Sequence, residues 1–462
     1  MLERSDQRLG ELSFCLPLQF HVTVETKIVQ KRPRARCGAP AAGGGLSSHS
    51  SNRRGCALPI PRPRGFILRE RLAVVSVLLV LLTAAVVLRP ASPPTTDPIA
   101  AIRAAKAGDT VVVGAGTFTG SVTVPDGVTI VGEGMTSSWI KGAMTFGSNV
   151  RVSDLKIGDA GMNAVHNKDG ATNTTFERVR FRGGGGRDWT YVVNLGSGSD
   201  CDHITFKDCL VERNLGVEVA GSDKGFNNIS IWTNVNARVS DITFEGCHIG
   251  VSNGQGGHDT GSPRMGLECF VHQETAPPEY GWKNITLRDC VFEAADGHTA
   301  DFSDIPNARG TGLLIEGCTF KGGGLGGKWG WTVALEMPLN PVIRNNTFLR
   351  GSGTWGYVLA VCDRNDTAYK STGATITGNI FDLDTDNGIA PEMDGWPFVL
   401  NGYDNRFTGN TVHCHYGTKT LFALDHAYRN AITGNTFNIG SRRFVTQING
   451  STDNTVSPNT LM

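Results

Sequence analysis

The chain has no cysteine pair spaced as CxxC and no Cys/His spacing that suits zinc, which sets aside the common structural zinc sites. Its 11 cysteines are an odd number, so they cannot all pair into a disulfide framework. Net charge is also missing: 43 Lys and Arg stand against 43 Asp and Glu. That balance hides an asymmetry. Residues 1–71 hold 13 basic and 5 acidic residues, leaving 30 basic and 38 acidic residues to a mildly negative body. An acidic body sets nucleic acid aside as a partner. Long apolar runs are absent but for one, the 17 uncharged residues Leu72–Leu88. Tryptophan is modest at 8 and glycine abundant at 59, a balance that suits turn-dense β structure.

What is present is a phrase that keeps returning. It reads ITFKDCLV from Ile204, ITFEGCHI from Ile242, ITLRDCVF from Ile285 and LLIEGCTF from Leu313. It continues as VIRNNTF from Val342, ITGNIF from Ile376, FTGNTV from Phe407, ITGNTF from Ile432 and VSPNTL from Val456, with weaker copies at Val152 and Phe176. Taking one station per copy gives Leu155, Val179, Cys209, Cys247, Cys290, Cys318, Asn346, Asn379, Asn410, Asn435 and Asn459. The gaps between stations run from 24 to 43 residues. A constant floor with a variable excess is what a coil of fixed girth with loops of variable length produces. Short alternating strands between Gly, Asn and Asp turns argue against helical repeats.

From about Ile99 to the C-terminus these copies resemble the right-handed parallel β-helix proteins of the pectin-lyase-like superfamily. The resemblance implies an all-β fold, a single-stranded parallel solenoid of about eleven coils, one per station, with an N-terminal capping helix. The stretch GDTVVVGAGTF from Gly108 is similar to the entry of many such domains. Asn346, Asn379, Asn410, Asn435 and Asn459 resemble the superfamily's asparagine ladder, and Cys209 to Cys318 read as a column of small buried side chains.

The domain reading follows. Residues 1–71, rich in Arg, Pro, Gly and Ser, are expected to be a disordered tail. Residues 72–88 are expected to span the membrane as a signal anchor, or to be a cleaved signal peptide, with the basic tail inside and the body exported. Residues 89–98 are a linker, and 99–462 the β-helix domain. Asp97 suits a helix N-cap and Pro98 the first helical position. No C-terminal cap is visible after Asn459, so that edge is expected to be open or to be covered by another chain in an oligomer.

Chemistry is expected on a second set of strands, among them GVEVAG from Gly216, GLECFV from Gly266 and HTADFSD from His298. Alternation turns Leu267, Cys269, Ala300 and Phe302 inward, and Glu218, Glu268 and Asp301 outward in one column. Three carboxylates one coil apart repel, so a cation is expected among them, and oxygen ligands favour Ca²⁺. The long insertions of the same coils bring Arg264, His272 and Trp282 nearby. Glu336 and Asp425 end their strands and read as turn formers. The resemblance implies an enzyme on acidic polysaccharide. A lyase would use Arg264 or Lys283 as base, and a hydrolase would use two of the carboxylates. The NTD…DD…GHG…RIK, QDTL and DPH signatures of polygalacturonases, pectin methylesterases and mannuronan epimerases are absent. The expected function is therefore an exported, membrane-anchored protein that binds acidic glycan and cleaves it as a lyase or glycosidase. A non-catalytic adhesin or glycan-binding solenoid is the alternative.

Overall fold

The computed structural model describes residues 96–159, 161–183, 190–214, 227–233, 237–251, 265–271, 276–324, 330–350, 358–362, 373–384, 396–415, 420–440 and 443–462. The expected tail 1–71 and apolar run 72–88 lie outside these residues. Among the described residues no helix is long and apolar enough to cross a membrane.

The described strands pair in parallel, 23 of them in one sheet and 12 in another. In the twelve-stranded sheet each strand pairs with its counterpart from the next repeat, as Asn227–Thr233 does with Met265–Val271, and that strand with Ala300–Ser303. This is a solenoid in which every repeat packs on its neighbours. One short helix, Pro98–Ala104, precedes the strands. Asp97 caps it by accepting the Ala100 N–H at 2.9 Å, and Ile99 and Ile102 are buried against the first strands.

The repeated phrase has a backbone cause. The residue before most stations bends the chain: Asp208, Gly246, Asp289, Gly317, Asn345, Gly378, Gly409 and Gly434 all have φ between 52° and 67°. Glycine enters that left-handed region freely and Asn or Asp tolerate it. The station that follows is buried. Cys209, Cys247 and Cys290 donate weak S–H bonds to the carbonyls of Phe176, Phe206 and Phe244 at 3.3–3.4 Å. Burial pushes the Cys209 and Cys269 thiols well up, which leaves them unreactive. From Cys318 upward an amide ladder takes over. Asn346 Oδ1 accepts the Cys318 N–H at 2.8 Å, Asn379 Oδ1 that of Asn346, and so on to Asn459.

A second ladder, unforeseen from the sequence, runs at another bend: Asn405, Asn430 and Asn454 Oδ1 accept the N–H groups of Ala374, Asn405 and Asn430. Between the bends, phenylalanines stack on successive repeats, Phe206 on Phe244 at 4.7 Å and Phe348 on Phe381 at 4.6 Å.

One buried acid sits in this core. Asp304 accepts the Gly310 N–H at 2.7 Å, yet its burial pushes the carboxyl up to about 8, against the pull of that amide and of Arg309. In the unfolded chain it would ionise near 4. Between the two values only the folded state holds the proton, so stability falls as pH rises from about 4 to about 8 and is flat above. Asp304→Asn keeps an acceptor and cannot ionise. Urea melts from pH 5 to 8 should show the wild type losing stability against this variant by at most ~1.4 kcal/mol per pH unit. Parallel curves would show that Asp304 is ionised in the fold.

Candidate functional site

The outward positions of the twelve-stranded sheet form columns, because side chains alternate across a strand and parallel pairing keeps register. One column runs His166, Asn194, Ser230, Glu268, Asp301 and Ala334. The next runs Trp232, Phe270, Ser303 and Glu336. Their inward neighbours Leu267, Cys269, Ala300 and Phe302 are buried in the core, as alternation requires.

Glu268 and Asp301 are register partners on adjacent strands. Glu218, Arg264 and His272 lie outside the described residues. The column place expected for Glu218, one repeat before Glu268, is held by Ser230, because the strand paired there is Asn227–Thr233 rather than the stretch from Gly216. Lys283 is exposed on the 23-stranded sheet, away from this column. Trp282 is fully buried, its ring 5.9 Å from that of Phe302, so it packs the core and offers no sugar a face.

Glu336 ends its strand, as the sequence reading has it, and sequence alone does not show what else it touches. It is buried, and its carboxylate joins Asp301 instead of merely closing a turn. Ser303 Oγ lies 2.8 Å from Asp301 Oδ1 and 2.9 Å from Glu336 Oε2. A hydroxyl has one hydrogen. If both carboxylates were ionised, one of these contacts would set lone pair against lone pair. A proton on either carboxyl would turn that contact into a hydrogen bond.

A ring nitrogen of His298 and carboxylate oxygens of Asp301 and Glu336 lie within 4.8 Å of one another, all on buried residues. Such a set could hold a cation. Here, however, His298 Nδ1 accepts the Trp331 backbone N–H at 2.8 Å. The neutral ring then carries its hydrogen on Nε2, so neither nitrogen offers a lone pair to a metal. One oxygen of Glu268 is engaged too: Oε2 accepts Asn227 Nδ2 at 2.6 Å and Trp232 Nε1 at 3.2 Å. Trp232 and Asn227 had no signal in the repeat, since they stand on the strand that was not recognised.

The column also carries polar atoms without partners. His166 Nδ1, Asn194 Oδ1 and Ser230 Oγ are each buried and make no hydrogen bond. An orphaned buried polar atom costs about 1–3 kcal/mol, and these three stand on successive repeats.

Compared with family models and with curated protein sequences, the chain matches none. Solved structures do match. The A-module of the Azotobacter vinelandii mannuronan C-5 epimerase AlgE6 aligns over 79% of this chain and 93% of its own, with a TM-score of 0.55 and 18% identity. PfbA, a surface adhesin of Streptococcus pneumoniae, aligns over 75% of this chain and 88% of its own, with a TM-score of 0.55 and 13% identity. At these identities the likeness is one of fold. The parallel sheets, the stacked stations and these neighbours together make the chain a right-handed parallel β-helix protein.

Proposed function

We propose that this protein binds a linear glycan along the outward columns of the twelve-stranded sheet and cleaves a glycosidic bond with the Asp301–Glu336 pair. The observation that carries the reading is Ser303, whose hydroxyl oxygen stands within hydrogen-bond distance of both carboxyl groups. One carboxyl holds the proton and gives it to the departing glycosidic oxygen. The other, ionised, attacks the sugar carbon, and water then releases the bound sugar; carboxylate oxygens within 4.8 Å suit this direct route rather than the ~6.5–9.5 Å spacing that admits an attacking water. His298, fixed by Trp331, keeps an N–H rather than a lone pair in the cluster.

Trp232 and Phe270, half-buried and in column with Ser303 and Glu336, supply the aromatic faces on which sugar rings stack. The orphaned polar atoms of His166, Asn194 and Ser230 suit sugar hydroxyls, which both donate and accept. An epimerase module named for mannuronan among the structural neighbours agrees with a glycan as partner.

The test is a panel of neutral and acidic polysaccharides, read for new reducing ends and for unsaturated product. New reducing ends without unsaturation support hydrolysis. Unsaturated product would point to a lyase instead, and binding without turnover to an adhesin. Calcium between Glu268 and Asp301 is the rival way to neutralise this site. The shared proton predicts the same melting temperature in calcium and in EDTA. A calcium-dependent rise, removed in Glu268→Gln, would put the ion in the proton's place.

A further inference from the structure

On the other sheet, far along the chain from the carboxyl pair, cations gather around one buried acid. Glu212 is nearly inaccessible, its side chain 1% exposed. Arg180 Nε lies 2.6 Å from Glu212 Oε1, Lys156 Nζ 3.4 Å from the same oxygen, and Arg182 Nε 3.8 Å from Oε2. Register explains the gathering: Lys156, Arg180 and Leu210 are partners on successive strands, and Glu212 stands two residues beyond.

Three cations therefore face one carboxylate, and among the described residues no second acid pairs with them. Lys141 is paired with Asp159 at 3.5 Å. Among the described residues the Arg182 guanidinium makes no hydrogen bond, only the long contact to Glu212 and a place 5.8 Å from the Trp139 ring; its backbone N–H donates to the Ile157 carbonyl. Glu212 Oε2 is itself buried without a hydrogen-bond partner. The cations are partly desolvated, with side chains 14%, 23% and 21% exposed for Lys156, Arg180 and Arg182. Partly buried charge of one sign is costly unless countered. Burial and the two arginines lower the Lys156 pKa, offset in part by Glu212.

The Trp139 indole holds the group in place. Its Nε1 donates to the Gly158 carbonyl at 2.8 Å, and Lys156 Nζ sits 4.5 Å above its ring. The result is a preorganised positive island on a body whose overall charge is negative.

We propose that Lys156, Arg180 and Arg182 form an oxyanion-binding site, and that its ligand is the carboxylate or sulfate group of an acidic saccharide. Arginine presents a planar fork that matches an oxyanion in two parallel hydrogen bonds, and the fork of Arg182 is unspent. Glu212 anchors the arginines from below, and the incoming anion supplies the missing negative charge. The site lies on a different sheet from Asp301 and Glu336 and does not depend on the cleavage reading.

The experiment is calorimetric titration of the full chain with sodium sulfate and with trigalacturonate, at constant ionic strength set by sodium chloride. Binding of either to the wild type is expected. Arg182→Gln should weaken it about tenfold, a usual loss for one charge-assisted pair. Its melt in chloride should stay near wild type, because it breaks no hydrogen bond. Arg182→Lys should recover part of the binding. Asp301→Asn should bind both anions as the wild type does, which separates this site from the cleavage site. A wild type that takes up neither anion, or an Arg182→Gln variant that binds both unchanged, would overturn the proposal and leave the cluster a packed ion group.

Discussion

Glu336→Gln is expected to lower turnover of the glycan that the panel identifies by about 10²–10⁴-fold, with little change in the melt. Glutamine has nearly the shape of glutamate and still offers an oxygen to the Ser303 hydroxyl. It cannot hold or release the shared proton. Asp301→Asn should do the same, and the double variant should be little worse than either single one, because the two acids act as a unit. Ser303→Ala leaves both acids but removes the bridge. Its rate should fall less, while the pH profile, expected to be bell-shaped in the wild type, should shift as the coupling between the two acids changes. Wild-type turnover in Glu336→Gln would remove the pair from the mechanism.

The reason this pair was half legible lies in distance along the chain. Asp301 announced itself by alternation, flanked by Ala300 and Phe302 that could only point inward. Glu336 stood at the end of a strand, where an acid usually forms a turn. Its partner Ser303 is 33 residues away, and only the register of Ala300–Ser303 on Val333–Glu336 joins them.

The strand at Asn227–Thr233 was missed for a related reason. GVEVAG and NNISIWT alternate equally well, both lie in one long insertion, and sequence alone does not say which one stacks on Met265–Val271. The strands that follow, from Met265–Val271 to Val445–Ile448, fell where the alternation put them. The stations were more legible still, because most are preceded by a residue in a left-handed conformation, and Gly, Asn and Asp write that constraint into the sequence. The second ladder had the same mark. Asn405, Asn430 and Asn454 each follow a residue with φ of 55–60°, five positions before Asn410, Asn435 and Asn459.

Of the substitutions that test the fold, Asn410→Leu is expected to cost the most, about 3–5 kcal/mol. Asn410 Oδ1 accepts from both the backbone N–H and the side-chain amide of Asn379, each at 2.9 Å. Its own Nδ2 donates to Ile376 O at 2.9 Å and to Asn435 Oδ1 at 3.1 Å. Leucine fills the space but leaves the Asn379 amide and the Ile376 carbonyl buried without these partners, each worth about 1–3 kcal/mol. Asn410→Asp keeps the acceptor and loses the donor, so it should cost less at low pH and more once ionised. Asn459→Leu, at the half-exposed last rung, should cost less than either, since water can reach the groups it abandons. Urea melts of the three variants give the order. Because each repeat of a solenoid packs only on its neighbours, hydrogen exchange should place the loss in the repeats around Asn379 and Asn435 and spare the strands before Cys209. Should Asn410→Leu melt like the wild type, the stacked phenylalanines hold these repeats and the amide ladder merely accompanies them.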